Sequence, residues 1–146
     1  MNESLKIAIG SDHAGLEMKD VVVQQLKKLG HTLKDFGTNS DESVDYPDFA
    51  HPISTAVKNG EYDFGILVCG SGNGMCITAN KHEGIRAGLA WNKEVAALVK
   101  QHNNANVLCI PGRFVDPKTV REIVKSYLNA DFEGDRHQRR INKISC

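Results

Sequence analysis

The sequence predicts an α/β protein: one domain over residues 1–146, built on a single doubly wound, five-stranded parallel sheet with helices on both faces and a helical tail. Two observations predict it. Five short apolar runs alternate with helix-period segments, the pattern of a parallel sheet covered on both sides. The chain also has 146 residues and no linker, internal repeat or low-complexity tract, which is the length of one domain with one core.

Leu5–Gly10 (LKIAIG) reads as the first buried strand. Leu16–Leu29 follows as a helix, its stripe formed by Leu16, Val22, Val23, Leu26 and Leu29, with Gly30 as C-cap. His31–Phe36 is the second strand and Gly37–Asp45 a polar loop. Asp45 caps a helix that opens at Pro47 and runs to about Asn59, with Pro52 near its start. Phe64–Cys69 (FGILVC) is the strongest strand; it ends in Gly70-Ser71-Gly72-Asn73-Gly74, where a helix begins. Ile85–Ala90 is strand-like, Asn92 caps a helix through His102, and Asn106–Ile110 is the fifth strand. Asp116-Pro117 opens a helix to about Leu128, and a last helix runs from Arg136 to Ile144. The result is a Rossmann-like order.

Composition narrows the function classes. Lys+Arg and Asp+Glu number 18 each, so global charge argues against a nucleic-acid-binding module. No apolar run approaches the ~18 residues of a membrane span. The Met-Asn-Glu-Ser start is acidic where a leader peptide is basic, so a cytoplasmic protein is expected. Cys69, Cys76, Cys109 and Cys146 form no C-x-x-C pair, and the six histidines no H-x-x-x-H spacing; no structural metal is expected.

In doubly wound sheets ligands bind beyond the strand carboxyl ends. Chemistry is therefore sought in Gly10–Gly15 after strand one, Cys69–Gly74 after strand three, Gln101–Asn104 after the fourth helix and Pro111–Arg113 after strand five. Gly70, Gly72 and Gly74 form either a tight turn or a cradle of bare amides for an anion. The loop fits neither the dinucleotide fingerprint nor a P-loop. Cys69 is either a small buried hydrophobe or a thiol whose pKa the adjoining helix start lowers. Cys76 and Cys109 sit in apolar patterns and read as core; His31, His51 and His82 read as structural. His13 is a turn residue or a ligand, and His102 a helix-end cap or an acid–base group. Arg136 and Arg140 share one helical face, as do Arg139 and Lys143; such a face is solvated or grips a phosphate.

The segments GSDHAG, SVDYPDFA, CGSGNGM, ANK, GIRAG, QHNNANV, PGR and EGDRHQRRI, in this order over nearly the whole chain, closely resemble the type B ribose-5-phosphate isomerases. The wider family includes allose-6-phosphate isomerases and galactose-6-phosphate isomerase subunits. The resemblance implies a homodimer or dimer of dimers with interfacial sites. It also implies metal- and cofactor-free aldose–ketose isomerisation of a phosphorylated sugar, here ribose 5-phosphate in the pentose phosphate pathway. In one branch a cysteine before the glycine loop is the base, and Cys69 matches it. In another a glutamate after the loop does that work; here Met75 stands there. His102 matches the residue that helps open the sugar ring. Asp12, His13, Tyr46, Asn103, Arg113, Arg136 and Arg140 match substrate or phosphate contacts, with the tail arginines coming from the neighbouring subunit. The Gly70, Ser71, Gly72, Asn73 and Gly74 loop would hold the enediolate oxygens, the Ser71 hydroxyl beside the amides. Two rival classes, a flavodoxin-like nucleotide domain and a Cys69/Cys76 redox protein, lack an aromatic-lined flavin loop and a C-x-x-C pair respectively.

Overall fold

The computed structural model describes residues 3–146; Met1 and Asn2, which begin the acidic N-terminal segment, lie outside the described residues. The elements follow in the order β1 (Lys6–Ser11), α1 (Leu16–Lys28), β2 (Thr32–Asp35), α2 (Pro47–Lys58), β3 (Phe64–Cys69), α3 (Asn73–Ala79), β4 (Ala87–Leu89), α4 (Lys93–Gln101), β5 (Val107–Pro111), α5 (Pro117–Asn129) and α6 (Arg136–Ile141). A 3-10 turn, His13–Gly15, leads into α1. All strand pairs are parallel, in the order β2-β1-β3-β5-β4.

Right-handed crossovers decide which face each helix covers. Chain steps in one direction along the sheet put α1 and α4 on one face, where α5 joins them; steps in the other direction put α2 and α3 opposite. Strand alternation supplies a core to each face. Ile7, Ile9, Ile66, Val68, Leu108 and Ile110 pack against α1, α4 and α5. Ala8, Leu67, Cys69, Val107 and Cys109 pack against α2 and α3. Each fully buried Ile or Leu side chain contributes about 1.5–3 kcal/mol.

Local signals were mostly obeyed. Asn92 accepts the Val95 N–H at 2.9 Å and Asp116 the Thr119 N–H at 2.8 Å. Gly30, at φ +85°, closes α1: its own N–H reaches the Lys27 carbonyl and the His31 N–H the Leu26 carbonyl. Asp45 does not cap α2. Tyr46 stands at the N-cap in helical conformation, and the Asp45 carbonyl, rather than its carboxylate, takes the Asp48 N–H. β4 is three residues long, shorter than Ile85–Ala90, because at this edge the Arg86 N–H is taken by the Asn106 side chain instead of a ladder partner. α6 stops at Ile141, where single-turn bonds from Lys143 and Ile144 replace the helical pattern.

One buried charge anchors the loop that leads to the site. Lys19, fully buried in α1, donates to Asp35 Oδ1 at 2.9 Å, to Asn39 Oδ1 at 3.0 Å and to the Thr38 carbonyl. Its position in the stripe, three residues from both Leu16 and Val22, marks it as inward-facing. Lys19→Met leaves Asp35 and the loop carbonyl without their donor. It is expected to cost about 3 kcal/mol, read as a lower urea midpoint with an unchanged slope.

Candidate functional site

The sheet order creates the site. From β1 the chain turns to the α1 face, from β3 to the α3 face and from β5 to the α5 face. The loops beyond β1, β3 and β5 therefore diverge and open a crevice over the carboxyl end of β3.

Asp12, buried beyond β1, accepts the Gly15 N–H at 3.0 Å and so shapes the turn that carries His13. His13 Nδ1 accepts the Val44 N–H at 3.1 Å. That leaves the proton of a neutral His13 on Nε2, as a donor for an incoming oxygen. Tyr46 lies over the glycine loop: a Cβ on Gly74 would stand 2.7 Å from its ring. Gly72, at φ +81°, tolerates no side chain, because a Cβ would meet Leu89 at 2.4 Å. Arg113 folds back on the loop, its N–H bonding the Gly70 carbonyl at 3.0 Å and its guanidinium lying 3.3 Å from where a Gly70 Cβ would be. The exposed Ser71 hydroxyl accepts the Asn73 N–H at 3.3 Å.

Cys69 sits at the base of this crevice, 4% exposed. The expectation of a lowered pKa is overturned. Burial pushes the thiol above its ordinary value, and the Asp12 carboxylate adds to the rise. The amides of Met75, Gly72 and Gly74 face the sulfur and pull the other way, without winning. Cys109 is fully buried, Cys76 half-buried and Cys146 exposed. The Cys76 thiol donates to the Ala87 carbonyl at 3.4 Å, and the neighbouring Cys76 thiol together with burial raises the pKa of Cys109. His31 accepts the Leu5 N–H, and His51 and His82 share a 2.7 Å ring-nitrogen contact on the surface.

His102 is not at this edge. A helix that connects two parallel strands returns the chain to the amino edge of the sheet, and His102 caps α4 there, five residues before β5 begins. Six strand residues, from β3 start to Cys69, put roughly 17–20 Å between the two edges. At the amino edge a cavity of about 340 Å³ is lined by His102, Asn103, His137, Arg140, Ile141 and Ile144. Arg136 is exposed on the same helix. The predicted site residues thus form two groups: Asp12, His13, Tyr46, the Cys69–Gly74 loop and Arg113 in one, His102, Asn103, Arg136 and Arg140 in the other.

His137 was not singled out in the sequence, yet it is 5% exposed. Its ring stacks on His102 with centroids 4.3 Å apart and planes 10° apart. The signal for it is the spacing of His137, Ile141 and Ile144, a helical face distinct from that of the arginines. Among the described residues, His102, Glu133 and His137 are the group whose ligand atoms lie within 4.8 Å of one another. Parallel ring planes keep the nitrogen lone pairs from converging on one ion, and Arg136 and Arg140 add positive charge beside them. The arrangement suits stacking better than coordination.

Fold and crevice together describe a Rossmann-like α/β protein with a thiol, an amide-rich loop and cationic groups at one edge of its sheet. The ribose/galactose isomerase family profile matches residues 7–144. A probable ribose-5-phosphate isomerase B of Mycoplasma genitalium is 48% identical over 97% of this chain and 94% of its own length. The ribose-5-phosphate isomerase B of Escherichia coli is 44% identical over 97% and 95%. The Mycoplasma genitalium ribose-5-phosphate isomerase B crystallised with bound ribulose-5-phosphate superimposes with a TM-score of 0.91, at 47% identity over 95% of this chain and 93% of that one. The chain belongs to the ribose/galactose isomerase family. Among its described residues no helix is long and apolar enough to cross a membrane.

Proposed function

We propose that this protein interconverts ribose 5-phosphate and ribulose 5-phosphate, with Cys69 as the base. The observation that carries the reading is that the amides of Met75, Gly72 and Gly74 face the Cys69 thiol while Arg113 folds onto the same glycine loop. The Cys69 thiolate takes the proton from carbon 2 of the open aldose. The charge that develops on oxygens 1 and 2 of the cis-enediolate meets the loop amides, with Ser71 beside them. The proton then returns to carbon 1 while the hydroxyl proton of oxygen 2 passes to oxygen 1, which yields the ketose and regenerates the thiolate. Asp12 shapes the turn that aims His13, and Tyr46 covers the loop over the bound sugar.

The phosphate and the ring-opening step need the second group. His102, Asn103 and Arg140 share a cavity at the opposite sheet edge, so one chain cannot apply both groups to one sugar. A neighbouring copy that brings the arginines brings His102 and Asn103 with them. Each site is then built from two chains of a homodimer, with the second copy's tail over the first copy's crevice. There His13, Arg113, Arg136 and Arg140 hold the phosphate, and that remote binding energy orients the reacting carbons.

A panel of ribose 5-phosphate, allose 6-phosphate and galactose 6-phosphate tests the substrate: ribose 5-phosphate is expected to give the highest kcat/KM, and a hexose phosphate ahead of it overturns the assignment. For His102, the expectation is that His102→Asn lowers kcat for ring-forming ribose 5-phosphate more than for ribulose 5-phosphate, which cannot close a furanose through its phosphorylated carbon. Equal losses of kcat in the two directions would remove the ring-opening role.

A further inference from the structure

We propose that His137 and Glu133 are positioning residues for His102, joining that imidazole and the arginine helix into one rigid unit. The proposal rests on the acid–base role given to His102 above.

Four contacts carry it. The His137 ring lies flat against His102, centroids 4.3 Å apart. Glu133 Oε1 stands 3.4 Å from His137 Nε2 and 3.9 Å from His102 Nε2, within reach of both ring edges. The Glu133 N–H bonds the Gln101 carbonyl at 3.0 Å, which clamps the segment before α6 onto the end of α4. His137 is buried while its Nε2 has no hydrogen-bond partner, so the ring is held by packing and not by a network of its own. Burial, with Arg136 nearby, lowers the His137 pKa.

The physical need is plain. The His102 side chain is about 40% exposed at a helix end, and a side chain so placed samples several rotamers. Acid–base work on a sugar ring needs one of them. A buried flat ring on one side and a carboxylate at the edge select that rotamer. Because His137 lies one residue from Arg136 and three from Arg140, the same contact sets the distance between ring-opening group and phosphate grip.

The test uses the full chain with His137→Ala, His137→Phe and Glu133→Gln. It reads steady-state kinetics and, separately, the carbon-13-edited resonance of the His102 Cε1–H, assigned by its loss in His102→Asn. His137→Ala is expected to lower kcat for ribose 5-phosphate by roughly ten- to a hundredfold with little change in KM. Its His102 resonance should lose the upfield shift that a stacked ring imposes. His137→Phe keeps a flat ring and should restore most of the turnover and the upfield resonance. Glu133→Gln keeps the shape without the charge and should fall between wild type and His137→Ala in kcat. A rise in KM with kcat intact would assign His137 to the phosphate grip and overturn the proposal. So would a moved resonance with unchanged kcat, or a phenylalanine that rescues nothing. Failure of the underlying reading looks different: His102→Asn would then keep full turnover, whatever the resonance does. Unfolding of His137→Ala, seen by circular dichroism, leaves the decision to His137→Phe, whose loss of kcat would equally overturn it.

Discussion

Cys69→Ala is expected to fold as the parent does and to lose isomerisation by at least about a hundredfold, the scale of a positioned acid–base group. The sulfur lies between a core strand and the amides of Gly72, Gly74 and Met75, so alanine removes the proton acceptor and leaves the strand packing nearly unchanged. Cys76→Ala should be far milder, since that thiol bonds the Ala87 carbonyl away from the loop. The pH profile carries the same assignment. A base works deprotonated, and burial holds the Cys69 pKa above its ordinary value, so near neutrality the active form is a minority. Above about pH 7.5, where the sugar phosphate is already a dianion, kcat/KM should keep climbing about tenfold per unit toward the thiol pKa. The residual rate of Cys69→Ala should lack that limb. Near-normal turnover of Cys69→Ala, or a flat profile in the parent, would assign the base elsewhere.

Mixing two inactive chains is expected to restore activity. One chain carries Cys69→Ala; the other carries Arg136→Ala with Arg140→Ala. Each arginine–phosphate contact is charge-assisted and contributes roughly 1.5–3 kcal/mol, so losing both should lower kcat/KM by two to four orders of magnitude by that estimate. After subunit exchange, one site of each mixed dimer takes its thiol from one chain and its arginines from the other. That site is intact, and activity should return to as much as a quarter of the parent level at equal mixing by random pairing. If mass spectrometry confirms exchange and no activity returns, the arginines act in their own chain or not at all. The separation of His102, Asn103 and Arg140 from the Cys69 crevice by the length of a strand is what makes the positive result the expected one.

The family, the fold class and the carboxyl-edge loops were legible in the sequence because their causes are local. FGILVC is a buried strand by composition, Asn92 and Asp116 cap by side-chain chemistry, and Gly30 ends a helix by its φ. Gly72 and Gly74 likewise carry their own constraint, a left-handed turn and a tyrosine ring overhead. Other features are set by distance and burial, which periodicity does not encode. The helix start beside Cys69 suggested a lowered pKa, but the balance between amides and desolvation is settled by how deeply Leu67, Met75 and their neighbours enclose the sulfur. His102 follows a helix in the chain, and only the parallel topology shows that a helix end lies at the edge opposite a strand end. His137 stood beside arginines whose face reads as solvated or as a phosphate grip, and it is buried because α6 folds back on the end of α4. What the sequence determined alone was the set of chemical groups and the elements that carry them. Which groups face one another was decided by the sheet order and the crossover hand, because these choose the edge and the face on which each side chain emerges.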